Sequence, residues 1–395
     1  MSIADVLPQR DTARSTRGRV PVARVLVNNE KLDVSVTSAS MSMGDGQHDE
    51  ARLSLTSDTL TSTTDMVDKP ISFVWGVAPH SEYFHGYITE VTEESQGATG
   101  ALTFSLAVLG PTKVMFEGYP KFWSRKSATS AISDIVNKNL LGYTGHPHDY
   151  LWNALAQTDE SDWEMLNVLA DRIGWKLWNR FGIIGAFDPT KLFREVGVYA
   201  RLVMGSDSGL SSDRVLLEFQ PNERSKLLKE NLGVKYGYFT TADVVQVVKE
   251  VGEFKGYRFA TDIVVDNQDA ANVYTTAASN AMDSWKQYAL ARCWGDADLW
   301  PGMCVEVVST NARYLRAKYD GKWMIRATSH SMDRQQYQTM LFLVRPDSKT
   351  AVATGTYTPF WQDGSGRSRP TLSLVGEDQP RWRSSWSNAY VGSLQ

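Results

Sequence analysis

Apolar and polar residues alternate along much of the first hundred positions. Val34, Val36 and Ser38 share one register between polar neighbours, Leu53 and Leu55 another, and Ile71, Phe73 and Trp75 a third. The run Leu102, Phe104, Leu106, Val108 has the cleanest period of two, which puts one set of side chains on one face of a strand. Gly44-Asp45-Gly46 and Gly97-Ala98-Thr99-Gly100 supply turns between such runs. Several short strands at this spacing predict a barrel or sandwich over residues 20–112. Residues 1–19 before it are polar, carry Arg10, Arg14, Arg17 and Arg19, and read as an arm.

The period changes after Phe116. Ser127 or Thr129 can cap a helix with Ala131, Ile132, Ile135 and Val136 on one face, ending near Gly142. Ser161 and Glu164 have capping-box spacing ahead of Trp163, Leu166, Leu169, Ala170 and Ile173, and Gly174 can close that helix. Short β segments at 176–178 and 183–187 complete a mixed α/β unit over residues 113–190. Residues 191–287 read as its extension and a connector, with strands at 215–219, 233–239 and 244–251 and an alanine-rich helix at 269–282.

The β signal returns over residues 288–346, the remainder of a second barrel. Leu299-Trp300-Pro301-Gly302 makes a turn before a strand at 303–308. A hairpin follows at 323–328 and 337–344, with Tyr337, Thr339, Leu341 and Leu343 on one face. Residues 347–395 are rich in Gly, Ser, Pro and Trp, lack periodicity, and read as an extended arm ordered only against a partner.

Composition narrows the function. A 42% hydrophobic, 22% charged chain has ample material for a core, and its net charge of −4 gives no global drive toward nucleic acid. Two cysteines, Cys293 and Cys304, imply no disulfide framework and read as buried thiols. No stretch approaches the roughly 18 apolar residues of a membrane span, and no apolar leader opens the chain. Synthesis and folding in the cytoplasm are therefore expected. The 13 tryptophans favour a subunit with aromatic anchors at interfaces.

The catalytic candidates are weak. His146-Pro147-His148-Asp149 has metal-ligand residue types, but a proline-containing loop lacks the rigid frame zinc needs. Asp207-Ser208-Gly209 looks like a protease nucleophile segment without its flanking glycines, and no histidine and aspartate surroundings of a triad accompany it. Glu93-Glu94 and Asp159-Glu160 are adjacent acids of the kind that point into water, whereas a glycosidase pair needs a cleft and a set separation. Asp159, Glu160 and Asp162 suit the start of a helix. His330 reads as a hydrogen-bonded residue at a strand end. There is no phosphate loop and no Gly-x-Gly-x-x-Gly. No catalytic residue, cofactor site or metal site is expected.

Several motifs then fall in a recognisable order. Gln157-Thr158-Asp159-Glu160-Ser161-Asp162-Trp163, followed by Leu166, Leu169-Ala170, Arg172 and Gly174, resembles the middle domain of the central baseplate-hub (tail-hub) family of tailed phages. That family includes the late-control D proteins and the hub portion of type VI secretion spike proteins. Ile183-Ile184-Gly185-Ala186-Phe187-Asp188-Pro189 resembles its next strand pair. Leu299-Trp300-Pro301-Gly302 with Val305-Glu306-Val307, and Trp323-Met324-Ile325 through His330 with Tyr337-Gln338-Thr339-Met340-Leu341, resemble its second barrel. Trp75-Gly76 and Phe84-His85-Gly86-Tyr87-Ile88 fit its first. The likeness spans about residues 20 to 346.

The resemblance implies a mainly β chain with a smaller α+β part: two tube-type β-barrels joined by a mixed α/β middle domain, plus extended terminal arms. It implies a homotrimer whose six barrels continue a tail tube at the distal end of a virion. Double-stranded DNA would pass transiently through the lumen, and there would be no stable membrane insertion. Expected partners are the tail tube or distal tail protein, the tape-measure protein, and separate spike, fibre or receptor-binding proteins. Phe360, Trp361, Trp382 and Trp386 are the candidate interaction residues, as aromatic anchors of the C-terminal arm on a neighbour. Two other functions fit the same residues. One is a carbohydrate-binding or cell-wall-degrading tail component, with Trp361, Trp382 and Trp386 stacking on sugars; the other is the hub of a phage-derived secretion or injection system.

Overall fold

The computed structural model describes residues 20–60, 62–77, 80–94, 101–204, 213–223, 232–239, 244–249, 256–259, 269–270, 272–274, 276–277, 287–309 and 319–345. Both terminal arms, Asp207-Ser208-Gly209 and the four aromatic anchor candidates lie outside these residues.

Seven strands come first: β1 (Val22–Val27), β2 (Glu30–Lys31), β3 (Ser35–Gly44), β4 (Glu50–Ser57), β5 (Pro70–Val77), β6 (His80–Glu94) and β7 (Leu102–Leu109). A 3-10 turn at Pro111–Met115 leads to the middle unit: β8 (Lys121–Ser127), α1 (Ala128–Lys138), β9 (Gly142–Gly145), β10 (Leu151–Gln157), α2 (Asp162–Arg172), β11 (Lys176–Arg180), β12 (Ile183–Phe187) and α3 (Pro189–Glu195). Then come β13 (Val198–Met204), β14 (Asp213–Glu223), β15 (Leu232–Phe239), β16 (Val244–Lys249), β17 (Gly256–Phe259), β18 (Gln287–Trp294), β19 (Cys304–Ser309), β20 (Gly321–Asp333) and β21 (Tyr337–Arg345).

Thirteen strands join in one sheet, in the order β19-β13-β14-β18-β21-β20-β3-β4-β7-β6-β5-β1-β2. A further pairing of β19 with β20 closes β13, β14, β18, β21, β20 and β19 into a six-stranded barrel. Its first two strands precede the segment where the sequence shows the returning β signal. The N-terminal strands, expected as a barrel, stay open among the described residues: β1 and β3 approach one another but do not pair. Asn28 and Asn29 both adopt positive φ between β1 and β2, a conformation in which asparagine is favoured among the side-chain-bearing residues.

The two halves share a strand order. In each, six strands taken in chain order (β1, β3, β4, β5, β6, β7, and β13, β14, β18, β19, β20, β21) follow one cycle. The second neighbours the third, then come the sixth, fifth, fourth and first. They differ in the first strand, which runs antiparallel to the fourth in the N-terminal half and parallel to it in the barrel.

β20 joins the halves. Its start, Gly321–Met324, pairs with β19, and its end, Ala327–Asp333, pairs with β3. The changeover falls at a bulge between Ile325 and Ala327, where Arg326 Nε donates to both carboxylate oxygens of Asp45, at 2.9 and 2.7 Å. One apolar core runs under the seam, from Leu53, Phe73, Trp75 and Phe104 to Trp323, Ile325 and Leu341. Burial of each such side chain is worth roughly 1.5–3 kcal/mol.

The middle unit has its own core, formed by Ala131, Ile132, Ile135 and Val136 of α1 with Leu166, Leu169 and Ala170 of α2 and the tryptophans Trp123, Trp152, Trp163 and Trp175. Ser127 caps α1, accepting from the backbone of Ser130. Ser161 and Glu164 close a full capping box on α2. The edge strands β8, β9 and β10 and the short α3 were not legible in the pattern.

Candidate functional site: the hydroxyl face of the continuous sheet

The alternation that fills the core also builds the opposite face. In β3, Ala39, Met41 and Met43 are buried while Ser40 and Ser42 are exposed and Ser38 is half-buried. Strand register carries this outward row across its neighbours. Ser329 and Ser331 of β20 lie opposite Ser42 and Ser40, and Asp333 lies opposite Ser38. Glu50, Arg52 and Ser54 of β4 face Ser42, Ser40 and Ser38 from the other side. Thr103 and Ser105 of β7 pair with Thr56 and Ser54. Glu90, Thr92 and Glu94 of β6 complete the face beside Ala107, Ser105 and Thr103. The resulting surface is short-chained and hydroxylated, and it crosses the seam between barrel and open sheet without a break. Arg52 is the one cation in these rows, against Glu50, Glu90, Glu94 and Asp333. Such a face offers short-range hydrogen bonds to a polyanion but no net attraction.

The candidate anchors Phe360, Trp361, Trp382 and Trp386 lie outside the described residues, and the Gln157–Trp163 motif that carries the family resemblance has a structural role. Asp162 is buried and accepts from Lys138 Nζ at 3.0 Å, Asn139 Nδ2 at 2.6 Å and Gln157 Nε2 at 2.8 Å. Gln157 Nε2 also donates to the carbonyl of Glu160 at 3.0 Å. Gly118 packs so closely on that carbonyl that an added Cβ would lie 2.0 Å from its oxygen. One carboxylate thus ties the end of α1 to the end of β10 and the start of α2.

A second buried polar group holds the middle unit to both halves of the sheet. Arg180 at the end of β11 donates to Glu82 Oε1 of β6 at 3.0 Å, and its guanidinium lies 4.4 Å from the ring centroid of Trp300. Next to it, Asn179 Nδ2 donates to Asp49 Oδ2 at 2.6 Å. Burial pushes the Asp49 carboxyl up to about 8, the Asn179 bond acting the other way, so Asp49 is largely protonated at neutral pH. Lys322 of β20 donates to the carbonyl of Val196 after α3 and lies 4.9 Å from the ring centroid of Phe193.

The remaining candidates do not converge. His330 lies inside β20 rather than at a strand end. It is fully buried, with Nδ1 3.0 Å from Thr339 Oγ1 and its ring edge-on to Trp75 at 4.6 Å, and burial lowers its pKa to about 3. His146 Nε2 meets Glu195 at 3.2 Å and its Nδ1 accepts from the Asp188 backbone, while His148 Nδ1 accepts from the Tyr150 backbone. Asp149 joins neither histidine in a ligand set, and no group of three or more metal-ligating side chains forms among the described residues. Glu93 accepts from Thr63, and Glu160 from the backbone of Thr158 at 2.9 Å; both are exposed. Cys293 and Cys304 are buried free thiols on β18 and β19. No described helix is long and apolar enough to cross a membrane.

No family model matches the sequence, and no curated protein matches it either. Solved structures do match the fold. The 43 kDa tail protein of prophage MuSo2 from Shewanella oneidensis superposes with a TM-score of 0.61 at 12% identity, over 82% of this chain and 98% of that one. A tail protein of Neisseria meningitidis gives 0.60 at 12% identity, over 83% and 97%. The fold is that of phage tail proteins. A component of the Escherichia coli type VI secretion system shares it, with a TM-score of 0.56 at 10% identity over 82% of this chain and 77% of that one.

The seam serines were missed because only Ser38 was read from the segment Ser38-Ala39-Ser40-Met41-Ser42-Met43, although its strict alternation is visible in sequence. Their pairing with Ser329 and Ser331 depends on a register nearly three hundred residues apart, which no local pattern carries.

Proposed function

We propose that this chain is a structural, non-enzymatic tail-hub subunit that forms a homotrimer between a six-fold tail tube and a three-fold tail tip or spike at the distal end of a virion. The observation that carries the proposal is the strand order common to the two halves. A chain with two equivalent tube-facing barrels presents six similar units when three copies close a ring, and heterologous contacts around an axis are what close such rings. On this reading the open N-terminal sheet is the first tube-type barrel, completed in the assembly. The hydroxyl face lines the channel, its acidic excess letting double-stranded DNA pass without salt-dependent arrest. The tail tube or distal tail protein meets one side of the ring, and the tape-measure protein and separate spike, fibre or receptor-binding proteins meet the other.

Native mass measurement of the purified chain, alone and with its tube protein, tests this. Three copies, rising to a complex with six tube subunits, is the expected result. Any other stoichiometry for the ring refutes the hub assignment.

A further inference from the structure

Three polar atoms on β5 and β20 are buried with no hydrogen-bond partner among the described residues: Trp75 Nε1, His330 Nε2 and Thr328 Oγ1. Trp75 belongs to the N-terminal half, while His330 and Thr328 share the inward face of β20. The rings of Trp75 and His330 cross at 68° with centroids 4.6 Å apart. Buried polar groups left unpaired are costly, and folded interiors keep few of them. The neighbours set by strand register cannot supply the missing bonds. His330 lies between Thr339 of β21 and Met41 of β3. Thr339 Oγ1 serves the other ring nitrogen, Nδ1, at 3.0 Å and accepts from the backbone of Asp296 at 3.0 Å, and a methionine is at best a weak acceptor. Thr328 lies between Leu341 and Met43. Trp75 faces Val22 and Glu82, and Glu82 is engaged by Arg180. Nor can the crossed rings satisfy each other. In such a pair one ring turns its edge to the other's face, so an N–H of the edge ring alone can meet π density, and the other ring's nitrogen stays unpaired.

The chemistry of these groups defines their ligand. An indole N–H only donates, and the second nitrogen of a neutral imidazole accepts or donates according to its tautomer. The ligand must accept one bond and be free to give or accept another. It must be uncharged, because the wall around it is apolar, with Met41, Met43 and Leu341 on it. It must also fit beside two rings already in contact. Water meets all three conditions. We propose that one ordered water accepts from Trp75 Nε1 and bonds His330 Nε2, with Thr328 Oγ1 making the third bond usual for an internal water. This water ties β5 of the N-terminal half to β20, the strand that the half shares with the barrel. The site lies within one chain, so it stands whatever number of copies the ring contains.

A crystal structure of the full-length chain, at a resolution that shows ordered water, provides the test. The expected result is a single isolated density peak within roughly 2.7–3.2 Å of both Trp75 Nε1 and His330 Nε2. A solution measurement reads the same site. With the tryptophan indole nitrogens labelled, the Nε1 proton signal that disappears in Trp75→Phe should cross-relax with a long-lived water. A peak bonded to only one of the two nitrogens, or none between them, would overturn the proposal. So would an Nε1 proton that cross-relaxes with protein protons alone. If the Trp75→Phe chain fails to fold and leaves that signal unassigned, the crystal structure decides by itself.

Discussion

Gln157 Nε2 donates to Asp162 Oδ1 at 2.8 Å, five residues along the chain and with both side chains buried. The carboxylate gathers three donors from two places, Lys138 and Asn139 at the end of α1 and Gln157 at the end of β10, so removing it takes an acceptor from both at once. Asp162→Ala should therefore cost about 3–5 kcal/mol, the range for breaking a buried charge pair. Gln157→Ala, which removes one neutral donor, should cost about 1–3 kcal/mol. Urea unfolding of the two variants gives the ranking, and equal losses would show that Asp162 is not the centre of the group.

Arg180 and Glu82 are 4% and 3% exposed, so their 3.0 Å contact is as dry as any ion pair among the described residues. Arg180→Ala should destabilise by about 3–5 kcal/mol by stripping the buried Glu82 carboxylate of the guanidinium beside it. Replacing both, with Arg180→Met and Glu82→Leu, should recover most of that loss. A double-mutant cycle reads the coupling directly, and additive effects would refute it.

Stability should peak near neutral pH, with Asp49 and three buried histidines setting most of the slope. Burial raises Asp49 from 3.8 to about 8, so between those values the folded chain holds a proton the unfolded chain has released, and stability falls as pH rises. His48, His85 and His330 are lowered by burial from 6.5 to about 4, 4 and 3. Below 6.5 the unfolded chain therefore binds protons the folded one refuses, and stability falls as pH falls. Three acid-side groups outweigh one on the other side below 6.5; between 6.5 and 8 Asp49 leads the decline, and above 8 the thiols of Cys293 and Cys304, raised by burial, add to it. Asp49→Asn should flatten the decline between pH 6.5 and 8 and leave the acid limb in place. Thermal midpoints measured across pH 4 to 8 check this; a decline between 6.5 and 8 that persists undiminished in the variant would refute the assignment.

Ser40 and Ser331 are exposed partners across the β3–β20 ladder. Replacing both with lysine should alter stability by no more than about 0.5 kcal/mol, as for ordinary surface changes. If this face lines a DNA channel, particles carrying the variant should eject DNA more slowly, with the delay shrinking as salt rises. Unchanged ejection at low salt would remove the face from the channel.

Much of this architecture could be read from local pattern because local physics dictated it. The alternation at Leu102–Val108 became β7, the capping-box spacing at Ser161 and Glu164 became the start of α2, and the Trp300-Pro301-Gly302 turn positions β19. The parts that were illegible have non-local causes. Lys121–Ser127 mixes three cations with two aromatics and is a strand because β10 pairs with it and Trp123 is buried beneath. His330 was misplaced because β20 runs past the usual strand length, and its second half has a partner nearly three hundred residues away. The motif at Gln157–Trp163 was recognisable as a pattern, yet its role emerged only when Lys138 and Asn139 were seen to converge on Asp162.

β20 pairs with strands of both halves, β19 and β21 on one side and β3 on the other, and this has a mechanical consequence. A pull that separates the barrel from the open sheet along the strand direction loads the backbone hydrogen bonds of Ala327–Asp333 in parallel, so they must yield together instead of opening one by one. Arg326, clamped to Asp45 at the changeover, acts as a stop against sliding. The two halves are therefore expected to respond to tension along the strands as one stiff plate.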